Sequence, residues 1–557
     1  MPFWSAMTST VSHMAEPRWR ARAAVFLALA TIAVPFLVAG IPPLADYPNH
    51  LARLWLHEGG IAREPVSGMY RFAWDTMTNI GVDLAARMLA PLLGWEVLGR
   101  LLATLAGMLP PIGGALLWAR LHGRAHWWQI AFGMLAWSMG LLFGFVNFQI
   151  GLGFALLAAA ADPALSRLGS AGWGHLLVAA AGRATLGLVL MLTHVFAFAF
   201  YAALLAGIAL GASWRGFLAP GARLPALSRI AVAVLPLALA AAILALLSPR
   251  LPGSQSGGSL AAIWEDVAYG WSDLLGTPWR KPAEALSGLR TYHDGLDALT
   301  GLALLAPVVV ALATRRLRVH AGMMAATLGL AVLYVLVPSG LLGTAVVDAR
   351  FAMMATLTLT VALRPDVPAA LGRMLRAGLL AVCLLRTGAI AWIWHARQAD
   401  VASVARALEP VPPGAAVMPL KHDSPDETMP LGRVTRLMHT YSFGHLPALA
   451  LPWRRAFTPM MFSAKGKQPL RVLPPWSEIS EPDGGTLGGV ALLTDPAEMA
   501  RTLAEIRYPP LWRERFDFIL ILNADTRDIH GPFRPPPGLS LVRDEGFAQL
   551  WRIERAR

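Results

Sequence analysis

Four residues in one short stretch have the types and spacing for chemistry: Asp46, Asn49, His50 and Arg53, within ADYPNHLAR. A carboxylate at 46 can take a proton from a hydroxyl or ligate a metal. His50 follows four residues on, one helical turn along the same face, and Arg53 three further, with a planar fork of donors suited to a phosphate. An acid that deprotonates a hydroxyl beside a cation that holds a phosphate is what glycosyl transfer from a phosphate-linked donor uses. The same residues have a purely structural reading: Asp46 caps a helix, Asn49 bonds backbone and Arg53 meets lipid headgroups. The residues alone leave both open.

What must position them is a membrane protein. Of 557 residues 56% are hydrophobic and only 15% charged, with a mean hydropathy of +0.52; a soluble domain carries about a quarter charged residues. That excludes a single soluble globular enzyme, and disorder as well, because there is too much apolar surface and too little charge. The 47 basic against 34 acidic residues give a net charge of +13. In a membrane chain such an excess fixes orientation, so no nucleic-acid partner is expected. A single cysteine, Cys383, excludes a disulfide framework and a cysteine metal cluster.

A bilayer core of ~30 Å needs about 20 apolar residues per helix. Apolar runs give about eleven spans, near 23–41, 97–119, 127–143, 145–161, 175–193, 194–212, 229–248, 297–313, 322–340, 351–363 and 374–394. The tenth is short and extends back past Arg350 or is partly re-entrant. With a cytoplasmic N-terminus, the inside loops hold fifteen arginines, from Arg18 to Arg376, against Glu16, Asp162 and Asp366. The acids collect in 42–96 and 249–296. The first apolar stretch is long and lacks a small-residue cleavage site, so it reads as an uncleaved span. A bacterial inner-membrane protein is expected, with a multi-span membrane domain over 1–395 and a periplasmic α/β domain over 396–557.

In the outside loop 42–96, residues 46–58 read as a short amphipathic helix along the interface, with Trp55 at headgroup depth. A second helix-like stretch lies near 83–93. The loop 249–296 opens with PGSQSGGS and carries Trp264, Trp271 and Trp279; it suits a mobile cover over an outer cavity, or an interfacial loop anchored by tryptophans. In the tail, 415–420 and 516–522 read as buried strands, Asp495–Pro496 as a helix start, and 539–543 with 547–552 as a hairpin. It carries no GxGxxG, P-loop, HExxH or GxSxG where one would act.

This order of parts resembles the integral-membrane glycosyltransferases of the GT-C fold: a first span, an outside loop opening with an acid, membrane-parallel helices, many further spans and a C-terminal outside domain. The run PLADYPNHLAR (43–53) is similar to a segment of little-characterised bacterial polytopic proteins associated with that group. The resemblance implies a polyprenyl-phosphate sugar donor and carries the family's acidic position onto Asp46. The usual second acid two residues away is missing, since Leu44 and Pro48 stand there. That puts metal dependence in doubt; a divalent metal remains open, with Asp75 or Asp83 to supply the second acid.

Elsewhere, His194 sits at the outer end of two spans, and Asp348 and Arg350 flank the tenth. Ionisable residues there are functional candidates by default, with a histidine bonded between helices and an Asp348–Arg350 pair as their structural readings. Arg183 and Arg386 fall inside spans, where they snorkel, pair across helices or mark misplaced boundaries. His445 contacts an acceptor or packs in the core. The leading expectation is sugar transfer from a polyprenyl-phosphate carrier to a glycan, lipid or protein acceptor on the outer face. Asp46 is then the base, Arg53 and Arg350 bind the donor phosphate, and Asn49, His50 and His194 complete the substrate site. The alternatives are a transporter or flippase, which needs polar residues through the bilayer midplane, and a non-catalytic scaffold or sensor, which tolerates substitution of Asp46.

Overall fold

The computed structural model describes residues 18–75, 78–123, 125–170, 172–218, 223–247, 268, 271, 280–341, 344–435, 439–504 and 506–555. Eight helices among them are long and apolar enough to cross a membrane: Trp19–Val38, Trp95–His122, Val146–Gly169, Trp173–Thr193, Val195–Trp214, Arg223–Ile243, Asp294–Ala313 and Ala369–Leu408. Their outer faces expose large apolar side chains such as Leu235, Leu302, Leu312 and Trp392, which lipid rather than water would cover. The chain is a polytopic, integral membrane protein.

The three remaining sequence-expected spans are helical but shorter. The run at 322–340 forms the 16-residue helix Ala321–Leu336, and that at 351–363 forms Val347–Ala362, which does reach back past Arg350. The run at 127–143 breaks into Ile130–Leu135 and Met139–Leu142, with Ser138 extended between them (φ −95°, ψ 161°). All of 127–143 is buried, and backbone can leave the helix at membrane depth where protein, not lipid, surrounds it. Both in-span arginines pair across helices. Arg183 Nε lies 2.7 Å from Asp162 Oδ1, and Arg386 Nη1 2.7 Å from Asp297 Oδ1. Asp348 does not pair with Arg350; its Oδ2 lies 2.6 Å from Lys281 Nζ. The PGSQSGGS stretch, Trp264 and Trp279 lie outside the described residues.

The C-terminal part holds a five-stranded mixed sheet. Its strands are β4 (Val417–Lys421), β6 (Gly488–Gly489), β7 (Phe518–Leu522), β8 (Leu539–Asp544) and β9 (Ala548–Ile553), in the order β6-β4-β7-β9-β8. The two apolar runs read as strands are β4 and β7, fully buried and parallel, as continuous hydrophobic strands are when both faces are covered. β8 and β9 form the expected hairpin, and Asp495 caps the Pro496–Thr502 helix by accepting from Ala497 N. Of the remaining strands, β2 (Leu317–Val319) pairs with β3 (Leu363–Pro365), and β1 (Tyr70–Phe72) with β5 (Leu470–Val472). The second pairing joins the loop 42–96 to the C-terminal region.

That junction changes the setting of the Tyr47–His57 helix. It does not lie on the membrane surface, because every residue from Tyr47 to Leu56 is buried. Leu51 and Leu54 pack with the span residues Phe36 and Leu102, while Trp55 packs on the other side among Met418, Leu420 and Phe457. A helix covered on both sides must bury its polar face too, so Asn49, His50 and Arg53 need partners inside the protein. The Gly81–Leu93 helix is the one that exposes an apolar edge, at Met88, Leu89, Leu92 and Leu93.

Candidate functional site

Asp46 immediately precedes the Tyr47–His57 helix, in the capping position, yet its side chain makes no cap hydrogen bond. Its backbone is already helical (φ −81°, ψ −11°), whereas an Asp that caps holds an extended conformation to reach back. The backbone is pinned from the other side: Ala45 N donates to Leu142 O at 3.0 Å and Asp46 N to Phe143 O at 2.9 Å. The close approach is possible because residue 144 is glycine, at φ +81°; a Cβ there would stand 2.9 Å from the backbone nitrogens of both Asp46 and Tyr47.

The freed carboxyl faces a cavity of about 650 Å³. Asp46, His50, His194, Arg350 and His445 all line it. One wall is aromatic and comes from helix ends, with Phe145, Phe148 and Phe196. The C-terminal region contributes polar lining, with Lys467, Gln468 and Asp483. Three long helices begin at the cavity, at Val146, Val195 and Val347. Neither Phe145 nor Val346, which precede two of them, supplies a side-chain cap. Some of the helices' first N–H groups are taken, Phe196 N by His194 Nδ1, Val347 N by Ser339 O and Ala349 N by Asp348 Oδ1, but the helix N-terminus as a whole still favours negative charge.

Burial pushes the Asp46 carboxyl up to about 7, against the pull of the Arg350 and Arg53 charges. A carboxyl there is half ionised near neutral pH, where a general base works best. Burial and the Arg53 charge push His50 down to about 3, and burial pushes His445 down to about 4. Both rings are therefore neutral at pH 7. Arg350 Nη1 donates to Ala345 O at 2.7 Å. Its guanidinium carbon lies 4.6, 5.4 and 5.8 Å from the ring centroids of Phe145, Phe196 and Phe148. Its Nε is buried with no hydrogen-bond partner among the described residues, so it has donor capacity to spare. His194 joins two spans; its Nδ1 accepts from Phe196 N at 3.2 Å, which leaves the proton on Nε2.

Two of the sequence candidates lie away from the cavity. Arg53 stands behind the lining, 1% exposed, with Nη2 3.1 Å from Asp83 Oδ2 and further bonds to Gln468 and His50, which do line the cavity. It is a locked ion pair rather than a group open to phosphate. Seven residues of helix put Arg53 about 10 Å along the axis from Asp46, which is where the Gly81–Leu93 helix crosses. Asn49 is fully buried and bonded to Met460 O, Phe462 N and His445. Neither proposed second acid joins Asp46: Asp83 holds Arg53, and Asp75 pairs with Arg471. Among the described residues no group of three or more His, Cys, Asp or Glu side chains could hold a metal. The neighbours of Asp46 include the Arg350 and Arg53 charges and the His445 ring, a set that suits an anion beside the acid better than a divalent cation, which wants oxygen acceptors.

For His445 the sequence-based expectation is an acceptor contact or a core role; its contact with Asn49 crosses 396 residues, and no spacing points to it. The aromatic collar around Arg350 was equally hidden. No family model matches the chain, and no curated protein does. Two solved structures are similar to it. One is ArnT from Cupriavidus metallidurans bound to undecaprenyl phosphate, at 12% identity and a TM-score of 0.41, covering 96% of this chain and 98% of that one. The other is the Archaeoglobus fulgidus oligosaccharyltransferase tethered with an acceptor peptide, at 12% identity and a TM-score of 0.40, covering 91% of this chain and 70% of that one.

Proposed function

We propose that this chain transfers a sugar from a polyprenyl-phosphate carrier to an acceptor hydroxyl, on the outer face of a bacterial inner membrane. The observation that carries the reading is the Asp46 carboxyl: freed from capping, shifted to about 7, and facing a cavity that Arg350 also lines. Asp46 takes the proton of the acceptor O–H as its oxygen attacks the anomeric carbon. The bond from that carbon to the carrier phosphate breaks, and the phosphate leaves with one more negative charge. Arg350, the His194 N–H and the three helix N-termini stand where that charge would be stabilised. The aromatic wall suits the isoprenoid-proximal end of the donor, and the polar lining from the C-terminal region suits sugar and acceptor. His50 is a neutral polar group beside them. Arg53 and Asn49 support the site from behind.

The test is transfer from a labelled polyprenyl-phosphate sugar in membranes, normalised to protein level. Asp46→Asn removes the basicity at nearly constant size and lowers transfer by ~10²-fold or more. Transfer at the parent rate in that variant sinks the reading and favours a scaffold or transporter.

A further inference from the structure

We propose that Asn49 and His445 form a relay that aims an N–H at the Asp46 carboxylate, so that His445, from the C-terminal region, is a positioning residue for the base. The inference rests on the reading of Asp46 as that base.

The chain of contacts starts from backbone, which removes the ambiguity of amide and imidazole orientation. Phe462 N donates to Asn49 Oδ1 at 2.9 Å, and Asn49 Nδ2 donates to Met460 O at 2.7 Å. With both ends fixed, the amide cannot be turned over. Asn49 Nδ2 lies 3.0 Å from His445 Nδ1, and an amide nitrogen only donates. Nδ1 is therefore the acceptor, and the neutral ring carries its proton on Nε2. Nε2 lies 3.5 Å from Asp46 Oδ1. That is longer than a formed hydrogen bond, and contacts to a general base tighten in the reacting complex. Phe462 packs against the ring with centroids 5.0 Å apart.

The consequence is a division of labour within one carboxylate. Oδ1 faces a fixed N–H dipole, and Oδ2 is left for the acceptor hydroxyl. The transferred proton goes to Asp46, while His445 keeps its own proton throughout. Donation to the ionised form favours that form, so the relay opposes the burial that holds the carboxyl protonated. The other groups around Asp46 are His50 and Arg53 on its own helix, Arg350 on the Val347–Ala362 helix, His194 between two spans, and the Lys467–Asp483 pair in the cavity lining. None of these sets the tautomer of His445. Asn49 does, and this explains why a fully buried amide stands one turn after the acid.

The test is pH-difference infrared spectroscopy of the full chain in lipid nanodiscs, which reads protonation without sugar transfer. The carboxyl band absent in Asp46→Asn belongs to Asp46. Its midpoint should move up by about one pH unit in His445→Ala and in His445→Phe, which keeps a ring but has no N–H. It should stay near the parent value in His445→Gln, whose amide reaches a similar position. In addition, ¹⁵N-histidine spectra of the parent should show the Nε2–H tautomer for the signal missing in the His445 variants. An unchanged midpoint in both Ala and Phe variants, or an Nδ1–H tautomer, overturns the relay whatever the activity shows. Parent-rate transfer by Asp46→Asn with the shift present instead overturns only the catalytic reading.

Discussion

Asp46 and Asp83 come from the same loop, 42–96, flank the same helix, and are treated in opposite ways. Asp83 is 1% exposed; its Oδ2 lies 3.1 Å from Arg53 Nη2 and its Oδ1 3.4 Å from His57 Nε2. Burial pushes its carboxyl up, but the Arg53 charge, with the His57 ring beside it, outweighs burial and holds it below the usual carboxylate range. Asp46 keeps its side chain about a quarter open to the cavity, is not bonded as a cap, and is shifted up. The acid with a dedicated cation belongs to the architecture. The acid without one is held ready for a proton. The signs for stability follow. Asp83 contributes stability above its ordinary range that is lost as pH falls through its lowered value. Asp46 has a raised value, so its ionisation between about 4 and 7 works against the folded state.

The largest effect should come from breaking the pair. Asp83→Asn leaves Arg53 buried without its counter-charge, at a cost of about 3–5 kcal/mol, read as a fall in thermal midpoint and in folded yield. Asp46→Asn should leave both unchanged or slightly improved while abolishing transfer. The comparison breaks if folded Asp83→Asn protein is as inactive per molecule as Asp46→Asn, for then Asp83 takes part in the chemistry.

Next comes Arg350, which stands to Asp46 as a shared neighbour rather than a bonded partner. Arg350→Met removes the charge and keeps most of the bulk inside the phenylalanine collar. Donor kcat/KM should fall by ~10²-fold, the scale of losing one stabiliser of developing charge. Arg350→Lys should lose about tenfold, since a lysine keeps the charge but not the planar stacking surface. An equal rate in Arg350→Met would move the phosphate elsewhere on the cavity wall.

Much of this contrast was legible in the sequence, and the illegible part has one physical cause. Asp46, His50, His194 and Arg350 stand out locally, as ionisable residues close to the ends of apolar runs, and the cavity gathers all four. Arg53 looked equivalent because helical spacing puts it on the same face as Asp46. Its partner, Asp83, comes from a helix whose crossing point no spacing reveals. His445 is the mirror case: nothing local distinguishes it, and it acquires a role only because β1 and β5 bring the C-terminal region down over the Tyr47–His57 helix. The spans were legible wherever lipid demands a continuous apolar helix. The run at 127–143 was not, because it is buried in protein, where that demand lapses.

A smaller effect separates the two acids by pH. Transfer kcat/KM reports the free enzyme, so it should rise about tenfold per unit up to a midpoint near 7 and level off above, as Asp46 ionises. Folding should be insensitive to Asp83 over the same interval, because that carboxyl stays ionised until well below its ordinary range. A profile flat from pH 5.5 to 8 (about the interval in which a raised carboxyl titrates) would remove Asp46 as the titrating base.

The smallest effect isolates what holds Asp46 in place. Gly123 and Gly144 share a left-handed backbone, both at φ +81°, so alanine at either carries the same conformational strain of about 1–2 kcal/mol. Their surroundings differ. A Cβ at Gly123 meets nothing within 4 Å, whereas one at Gly144 stands 2.9 Å from the backbone nitrogens of Asp46 and Tyr47. Those atoms cannot move aside without lengthening the bond from Asp46 N to Phe143 O. Gly123→Ala should therefore lower thermal stability slightly and leave transfer per folded molecule at the parent value. Gly144→Ala should lower stability by a similar amount or a little more, and transfer by about tenfold through displacement of the carboxyl. Equal activity in the two variants would mean that the acid is not held by its contact with Gly144. The Asn49–His445 relay would then be the principal restraint on its position.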